Sequence, residues 1–377
     1  MEMLSSKGRK WILFSVLILS SVVLAGLRMS RLAGTPVPAP SEESIPKDLA
    51  GFAALEPVDL HTHVFNADPA FIAFMTRLHL HIVDILVVDR TSSYSKALEP
   101  QLSDARAVVR ASNGHAVLCT TFDPYDIEAP GYTAAAIKQL NQNFADGALA
   151  VKIHLEMGMR IRRHDGTFVM PDDPVYEPIY QDIAAHHKTL IAHLAEPDSC
   201  WQPLDPHSPD YSYYSVHPEA HMYLHPDYPA KATILAARDH ILAENPNLRV
   251  IGAHLGSMET DVDVIAAHLD RYPNFAVEIG GRAPYFALQP RDKVRNFLIK
   301  YQDRVMYGTD LDLAKDRSFR DVVSEWEAMY AREWKFFSTD QTVDLEGHTA
   351  QGLKLPSSVL LKLYHENALR WIPGTGW

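Results

Sequence analysis

The sequence predicts an α/β fold: a (β/α)8 TIM-like barrel with a long lid loop after strand 5, preceded by an N-terminal signal or anchor segment. Short β-branched runs alternate with longer amphipathic stretches from about residue 50 onward. Eight such runs occur, which is the number of strands in a closed parallel barrel. No GxGxxG or GxxxxGKS/T motif follows an early strand, so a doubly wound nucleotide-binding sheet lacks its usual signal.

The predicted elements follow one another in regular order. The strand candidates are 57–61, 81–89, 115–122, 148–154, 189–193, 249–254, 275–280 and 304–308. Helices are predicted at 102–113, 132–144, 173–187, 230–245, 259–272 and 291–302, with a closing helix within 357–374. Because strands alternate with helices, we expect neighbouring strands to run parallel. The length of 377 residues accommodates one barrel of ordinary size.

Two connections are too long for ordinary loops. Residues 196–229 show no periodicity and are rich in Pro, Tyr, His and Asp, which is typical of a lid or binding loop. Since they follow the fifth strand, we expect them to overhang the mouth of the barrel. Residues 335–356, after the eighth strand, are expected to be irregular and to border the same mouth.

The N-terminal 50 residues precede the predicted barrel, which spans 51–377. The basic stretch SSKGRK leads into an uncharged apolar run at 11–27. Residues 1–28 are therefore predicted to be a secretory signal peptide or, if uncleaved, a membrane anchor. Residues 29–50 are predicted to be a Pro/Ser-rich linker. We expect an exported protein of the cell envelope or periplasm that meets a membrane only through this N-terminal segment.

Composition excludes some classes of protein. The formal net charge of −12, with no basic stripe outside the extreme N-terminus, argues against a nucleic-acid partner. Two cysteines, Cys119 and Cys200, are too few for a disulfide framework or a thiolate metal cluster, and we expect both to be reduced. The expected partner is a small-molecule substrate, and the composition leaves a homodimer open.

The stretch VDLHTHVF at 58–65 places polar groups on alternate positions of the first strand. Side chains at i, i+2 and i+4 of a strand share one face, so Asp59, His61 and His63 are expected to point the same way. Buried imidazoles need partners, which makes this a poor pattern for a plain half-buried strand. The same pattern suits a bound metal ion.

Chemically active residues recur at the carboxyl ends of later strands, where (β/α)8 enzymes carry their active sites. His61 and His63 follow the first strand, Lys152 and His154 end the fourth, and His193 ends the fifth. The sixth strand ends at His254, and Asp310 follows the eighth. Imidazole and carboxylate suit Zn²⁺ or a similar divalent ion, which lowers the pKa of a water to near ~7. Asp310 is placed to take the proton of that water.

The segments DLHTHVF, IAHLAEP, GAHLGSMETDVD and MYGTDLDL, together with the terminal HENALRWIPG, resemble a known group. They are similar to the strand ends of the amidohydrolase superfamily, and in particular to its amidohydrolase-related branch, which includes aminocarboxymuconate-semialdehyde decarboxylase-like enzymes. The resemblance covers residues 57–374 in order and spacing. It implies that His61, His63 and His193 are metal ligands and that Asp310 is a ligand or proton acceptor. It also places His254 beside the activated water as base or electrophile, or as a ligand of a second metal.

Lys152 has two interpretations under this resemblance. In binuclear members a lysine in this position is carboxylated and bridges two metals, whereas the decarboxylase-like branch commonly keeps one metal and an unmodified lysine. We favour one divalent ion, Zn²⁺ before Mn²⁺, Fe²⁺ or Ni²⁺. Lys152 is then expected to bind an anionic group of the substrate, with Arg282 at the mouth and His154 beside it.

The favoured function is a metal-dependent hydrolase that cleaves an amide, ester or lactone. The first alternative is a metal-dependent non-oxidative decarboxylase, a carbon–carbon lyase acting on an aromatic or unsaturated carboxylic acid. The second is a barrel that binds a ligand without catalysis, against which the complete set of ligand residues counts.

Overall fold

The computed structural model describes residues 44–90 and 97–377. Nine strands form one parallel sheet: Val58–Val64 (β1), His81–Ile85 (β2), Ala116–Thr121 (β3), Ala150–Ile153 (β4), Thr189–Ala192 (β5), Arg249–Gly252 (β6), Phe275–Glu278 (β7), Val305–Met306 (β8) and Leu311–Leu313 (β9). Their spatial order is β8-β7-β6-β5-β4-β3-β2-β1-β9. All eight predicted strands are present, and the first seven are neighbours in chain order.

The eighth predicted strand, 304–308, corresponds to β8, and β9 follows it as a separate short strand that was not predicted. These two strands lie at opposite ends of the sheet order. β8 pairs with β7, and β9 pairs with β1, with Thr62 opposite Leu311. Between them, Leu60 N donates to the carbonyl oxygen of Tyr307 at 3.1 Å, and Asp310 N donates to that of His61 at 2.8 Å. These bonds join the first strand to the eighth and give the described chain a TIM-like α/β fold.

The helices occupy the connections between strands. They are Ala50–Ala53 (α1), Pro69–Leu78 (α2), Leu98–Ala111 (α3), Tyr132–Ala145 (α4), Glu156–Met159 (α5), Glu177–Ala185 (α6), Tyr211–Tyr214 (α7), Lys231–Glu244 (α8), Val262–Arg271 (α9), Ala283–Ala287 (α10), Arg291–Lys300 (α11), Val323–Ser338 (α12), Ser357–Leu361 (α13) and Asn367–Trp371 (α14). A π-turn at Lys362–Glu366 joins α13 to α14, so the predicted closing helix is one continuous element in three pieces.

Two long helices were not predicted from the sequence, although their signals were present. α2 begins with Asp68, whose carboxylate accepts from Ala70 N, and with a proline at the first helical position. In α12, Trp326, Tyr330 and Glu333 are buried at a helical spacing.

The expectation that 335–356 is irregular is wrong. Its first part belongs to α12, and Thr342–Leu345 (β10) pairs with His348–Gln351 (β11) as an antiparallel hairpin. Val343 and Leu345 are buried between exposed neighbours, which is the alternation of a half-buried strand. Glu346 and Gly347 both have positive φ, as a tight hairpin turn requires.

Buried apolar side chains form two main regions and one smaller cluster. Inside the sheet lie residues such as Leu60, Ile85, Ile191 and Met306, with Trp371 of α14 among them. A larger layer between the sheet and its helices includes aromatic side chains of α2 and α12. Cys119 and Cys200 are buried and free, so the expectation that they are unpaired is confirmed.

The segment expected to be a lid, 196–229, is a chain of short turns. Three 3-10 turns lie at Asp198–Trp201, Pro218–Ala220 and Met222–Leu224, with α7 between the first two. Asp210 ties the segment to α10, because its carboxylate accepts hydrogen bonds from Ser199 and from the hydroxyl of Tyr285.

The predictions for 1–28, and for 29–50 up to residue 43, lie outside the described residues. Within 44–90 and 97–377, none of the helices combines the length and apolar character needed to cross a membrane.

Candidate metal centre

A bulge in β1 determines which of its polar side chains face the interior. The pairing register with β2 shifts between Asp59 and Thr62. The expectation that Asp59 shares a face with His61 and His63 is therefore wrong. Its carboxylate instead accepts hydrogen bonds from the hydroxyls of Thr309 and, on α12, Tyr330. The extra residue breaks the simple alternation on which the expectation depended.

Three histidines are each oriented by a hydrogen bond at Nδ1. The Nδ1 atom of His61 lies 2.8 Å from Glu278 Oε1, that of His63 lies 2.7 Å from the carbonyl oxygen of Ile85, and that of His254 lies 2.7 Å from the carbonyl oxygen of Gly280. Carbonyl and carboxylate oxygens can only accept, so each Nδ1 carries the ring proton. Each Nε2 consequently keeps its lone pair, as a metal-binding imidazole must.

The carboxylate of Asp310 lies close to these three Nε2 atoms. Its Oδ1 lies 3.4 Å from the Nε2 atoms of both His61 and His63, and its Oδ2 lies 4.0 Å from that of His254. Burial alone would raise the pKa of Asp310, but the imidazoles of His61 and His254 outweigh it and hold that pKa well below its usual range. The carboxylate is therefore ionised at neutral pH.

Glu278, at the end of β7, is the residue that the sequence analysis missed. It is fully buried, and its Oε1 accepts from both His61 Nδ1 and the backbone N of His254, each at 2.8 Å. Burial opposes its ionisation, yet the neighbouring His61, His254 and Lys152 lower its pKa to about 2. A glutamate inside the buried run FAVEIG was the available signal, since a buried acid needs a partner.

Two glycines leave room for this carboxylate. A Cβ added to Gly280 or Gly308 would lie 2.7 or 2.6 Å from Glu278 Oε2. Both positions therefore require glycine, because a side chain at either one would prevent the backbone from approaching Glu278 so closely.

His193 and His154 lie on the other side of His254. The ring of His193 lies 4.2 Å from that of His254 and 4.8 Å from that of His154, measured between centroids. Its Nε2 is buried and has no hydrogen-bond partner among the described residues. The carboxylate of Glu196 lies beside it, with Oε1 3.7 Å from His193 Nε2. His154 Nδ1 contacts the fully buried carboxylate of Glu156.

The two basic residues predicted to bind substrate, Lys152 and Arg282, lie in different parts of the site. Lys152 is fully buried, and its Nζ lies 3.2 Å from His61 Nε2. Burial lowers the pKa of this lysine. Arg282 lies in the turn after β7, with one terminal nitrogen 3.7 Å from Glu196 Oε2. Its Nε is buried without a hydrogen-bond partner in the part of the chain that the structure describes.

These donors fit a divalent cation. His61, His254 and Asp310 each offer a ligand atom, and the three atoms lie within 4.8 Å of one another. His63 reaches the same carboxylate, while His193 contacts the ring of His254 instead. Burial lowers the pKa of His63 to about 4 and those of His193 and His254 well below the usual imidazole value. Neutral imidazoles, an ionised carboxylate and an orphaned buried Nε2 are the features expected of a metal site.

A TIM-like fold with such donors at its strand ends belongs to the class of barrel metalloenzymes. The family model described as amidohydrolase matches residues 58–373, so the chain belongs to the amidohydrolase family. The match confirms the resemblance to the amidohydrolase superfamily. Members of this superfamily are metal-dependent enzymes, both hydrolases and decarboxylases. No curated protein matches the sequence significantly.

Solved structures with a similar course of the chain include three enzymes. The 2,6-dihydroxybenzoate decarboxylase from Rhizobium is 15% identical, with 84% of this chain and 98% of that chain covered and a TM-score of 0.46. The dihydroxybenzoic acid decarboxylase from Polaromonas sp. JS666, with bound manganese and an inhibitor, is 11% identical, with 84% of this chain and 96% of that chain covered and a TM-score of 0.47. The 4-oxalomesaconate hydratase from Rhodopseudomonas palustris is 10% identical, with 84% of this chain and 95% of that chain covered and a TM-score of 0.44. Likenesses this distant carry no argument about the reaction.

Proposed function

We propose that this chain is a metal-dependent hydrolase that cleaves an amide, ester or lactone. One observation carries the proposal: the ionised carboxylate of Asp310 faces the Nε2 lone pairs of His61, His63 and His254. This arrangement combines cation ligands with a proton acceptor at one point, which is what hydrolysis by an activated water requires.

The residues divide the work as follows. His61, His63, Asp310 and either His193 or His254 would hold one divalent ion. Imidazole and carboxylate ligands suit Zn²⁺, which we propose before Mn²⁺, Fe²⁺ or Ni²⁺. When bound, such an ion polarises a substrate carbonyl and lowers the pKa of a water toward about 7. Glu278 keeps the ring proton of His61 on Nδ1, which leaves Nε2 available as a ligand.

Proton transfer falls to Asp310 and His254. Asp310 is ionised and about a third exposed, at 36%, so its carboxylate can both reach a substrate and accept a proton. His254 is buried and neutral, with its Nε2 lone pair directed to the same place. His154 and Arg282 lie around this point and are the proposed substrate contacts. Lys152 is the proposed partner of an anionic substrate group, and its buried Nζ lies 3.2 Å from His61 Nε2.

Non-oxidative decarboxylation is the second candidate. The observation that favours it is the buried Nε of Arg282, a donor with no hydrogen-bond partner within residues 44–90 and 97–377. A substrate carboxylate could satisfy that donor. Against this, the carboxylate of Glu196 already lies 3.7 Å from the same guanidinium.

The test is an activity screen on purified protein reconstituted with Zn²⁺ or Mn²⁺. Ester, lactone and amide panels are followed by proton release, and aromatic acids by carbon dioxide release. We expect hydrolysis in the first panels, lost at least about 10³-fold in Asp310→Asn because the proton acceptor is removed. Asp312→Asn is the matched control, since Asp312 is an exposed aspartate two residues further on, in β9. Carbon dioxide release without hydrolysis would replace the hydrolase by the lyase.

We also propose that the protein is exported, on the basis of the uncharged run at 11–27 behind a basic start. The mass of the mature N-terminus after expression in a Gram-negative host distinguishes the forms. A chain shortened near residue 28 indicates a cleaved signal peptide, and a full-length chain in the membrane fraction indicates an anchor. A full-length chain in the cytosol would contradict export.

A further inference from the structure

The backbone at Asp310 adopts a conformation that needs outside support. Its φ is +67°, in the left-handed region that L-residues with a side chain seldom adopt. Asp310 also lies at the break between β8 and β9, where regular pairing is interrupted. The backbone N of Asp310 donates to the carbonyl oxygen of His61 at 2.8 Å, which joins it to β1.

The carboxylate of Asp59 supplies that support from behind the site. Its Oδ1 accepts from the backbone N of Thr309 at 3.0 Å and from that of His61 at 3.2 Å. Its Oδ2 accepts from the hydroxyl of Thr309 at 2.6 Å and from that of Tyr330 at 2.8 Å. The Thr309 hydroxyl accepts in turn from Leu311 N at 3.2 Å. Asp59, itself on β1, thus bonds directly to Thr309 before the break, and Thr309 in turn bonds to Leu311 after it.

We propose that Asp59, oriented by Tyr330 of α12, is a positioning residue that fixes Asp310 relative to His61 for metal binding. The inference rests on the proposed metal site. Asp59 touches neither the Nε2 atoms nor a substrate, and it acts through the backbone of Thr309 and His61. Without it, Asp310 would be free to leave the left-handed conformation and carry its carboxylate away from the imidazoles.

A second tyrosine–acid pair on α12 provides the matched control. The hydroxyl of Tyr307 donates to Glu333 at 2.6 Å, in the same buried layer, but this pair does not bond to Thr309 or Asp59. Tyr330→Phe and Tyr307→Phe each remove one buried hydroxyl that donates to a carboxylate. A general loosening of the layer would affect both alike, whereas the positioning role concerns only Tyr330.

The experiment compares Thr309→Val, Thr309→Ser, Tyr330→Phe and Tyr307→Phe with the wild type. Zn²⁺ affinity is measured by competition with a chelator, and amide hydrogen exchange over residues 307–313 is measured on the metal-free protein. The free energy of unfolding in urea is recorded for each variant. We expect Thr309→Val and Tyr330→Phe to bind Zn²⁺ about 10–100-fold more weakly and to exchange faster over 307–313. Thr309→Ser, which keeps the hydroxyl, and Tyr307→Phe should stay within about threefold of the wild type.

The outcomes separate this inference from the proposed function. Unchanged Zn²⁺ affinity and exchange in Thr309→Val and Tyr330→Phe would overturn the positioning role while leaving the metal site intact. Equal losses in Tyr307→Phe would overturn it too, because they indicate a non-specific effect. If the wild type binds no Zn²⁺ but exchange over 307–313 still follows the expected pattern, the proposed function fails and the positioning of Asp310 stands. Should Thr309→Val not fold, Tyr330→Phe gives the answer.

Discussion

Glu278 offers the sharpest test of the metal centre, through the substitution Glu278→Gln. This change keeps the shape of the side chain and replaces one carboxylate oxygen by an NH₂ group. In the wild type, Oε1 accepts two hydrogen bonds of 2.8 Å, from His61 Nδ1 and His254 N. Oε2 is buried with no hydrogen-bond partner among the described residues, and the backbones of Gly280 and Gly308 lie close to it.

Either orientation of the new amide is unfavourable. If its oxygen stays in the place of Oε1, the NH₂ group is buried in the place of Oε2, where no hydrogen bond is made in the wild type. A buried donor left unsatisfied there would cost roughly 1–3 kcal/mol. If the amide is reversed, the NH₂ group faces His61 Nδ1, and the ring proton must move to Nε2. That atom faces Asp310 Oδ1 at 3.4 Å and would no longer offer a lone pair.

The size of the effect on metal affinity follows from these bonds. Loss of the partner that orients a metal-bound histidine typically lowers affinity about 10–100-fold, which corresponds to roughly 1.4–2.8 kcal/mol. We therefore expect Glu278→Gln to bind Zn²⁺ about 10–100-fold more weakly in a chelator competition at pH 7.5. Glu333→Gln is the control, because Glu333 is also a buried glutamate but bonds to Tyr307 and to none of the histidines of the site. An affinity of Glu278→Gln within threefold of the control would refute the reasoning.

Three further predictions follow from the same geometry. Gly308→Ala should lower Zn²⁺ affinity at least as much as Glu278→Gln, since its Cβ would lie 2.6 Å from Glu278 Oε2 and 3.0 Å from His61 Cβ; an unchanged titration would contradict the close approach. Burial raises the pKa of Glu333 to about 8, from 4.5 in the unfolded chain. Between these two pH values the folded protein keeps Glu333 protonated, whereas the unfolded chain releases that proton. The contribution of Glu333 to the free energy of unfolding is therefore complete below pH 4.5, and it falls by about 4 kcal/mol as the pH rises from 4.5 to 8. Urea unfolding of Glu333→Gln at several pH values should lack that component, and equal slopes for both proteins would rule it out. Zn²⁺ at 100 times its Kd should raise the free energy of unfolding by about 2.7 kcal/mol, reversed by a chelator, and an unchanged thermal midpoint would count against specific binding.

The sequence predicted the strands and their ends well for a physical reason. In a parallel barrel the carboxyl ends of all strands lie at the same rim. Residues that end successive strands, such as His61, His193, His254 and Asp310, are therefore expected to lie near one another. Local β-branched runs between helices were enough to find the strands that carry them.

What the sequence could not predict depends on contacts between distant parts of the chain. The bulge in β1 turns Asp59 outward, and its partners Thr309 and Tyr330 lie 250 and 271 residues further on. Glu278 is separated from His61 by 217 residues. A buried acid in a strand signals that some partner exists, but only the folded sheet identifies which one.

The charges of the site explain why a cation belongs in it. Asp310 and Glu278 flank the ring of His61. Glu278 accepts hydrogen bonds from His61 Nδ1 and His254 N, which favour its ionised form, and the partly exposed carboxylate of Asp310 is also ionised at neutral pH. The surrounding imidazoles of His63 and His254 are neutral at pH 7 because burial lowers the pKa of each. Lys152 is the nearest ammonium, and burial lowers its pKa as well. Two negative charges in a buried setting are costly unless they are balanced. A divalent ion bound by the Nε2 atoms balances them without any change in the protonation of the histidines, whereas protonating the imidazoles would remove the lone pairs that Glu278 and the backbone carbonyls hold in place.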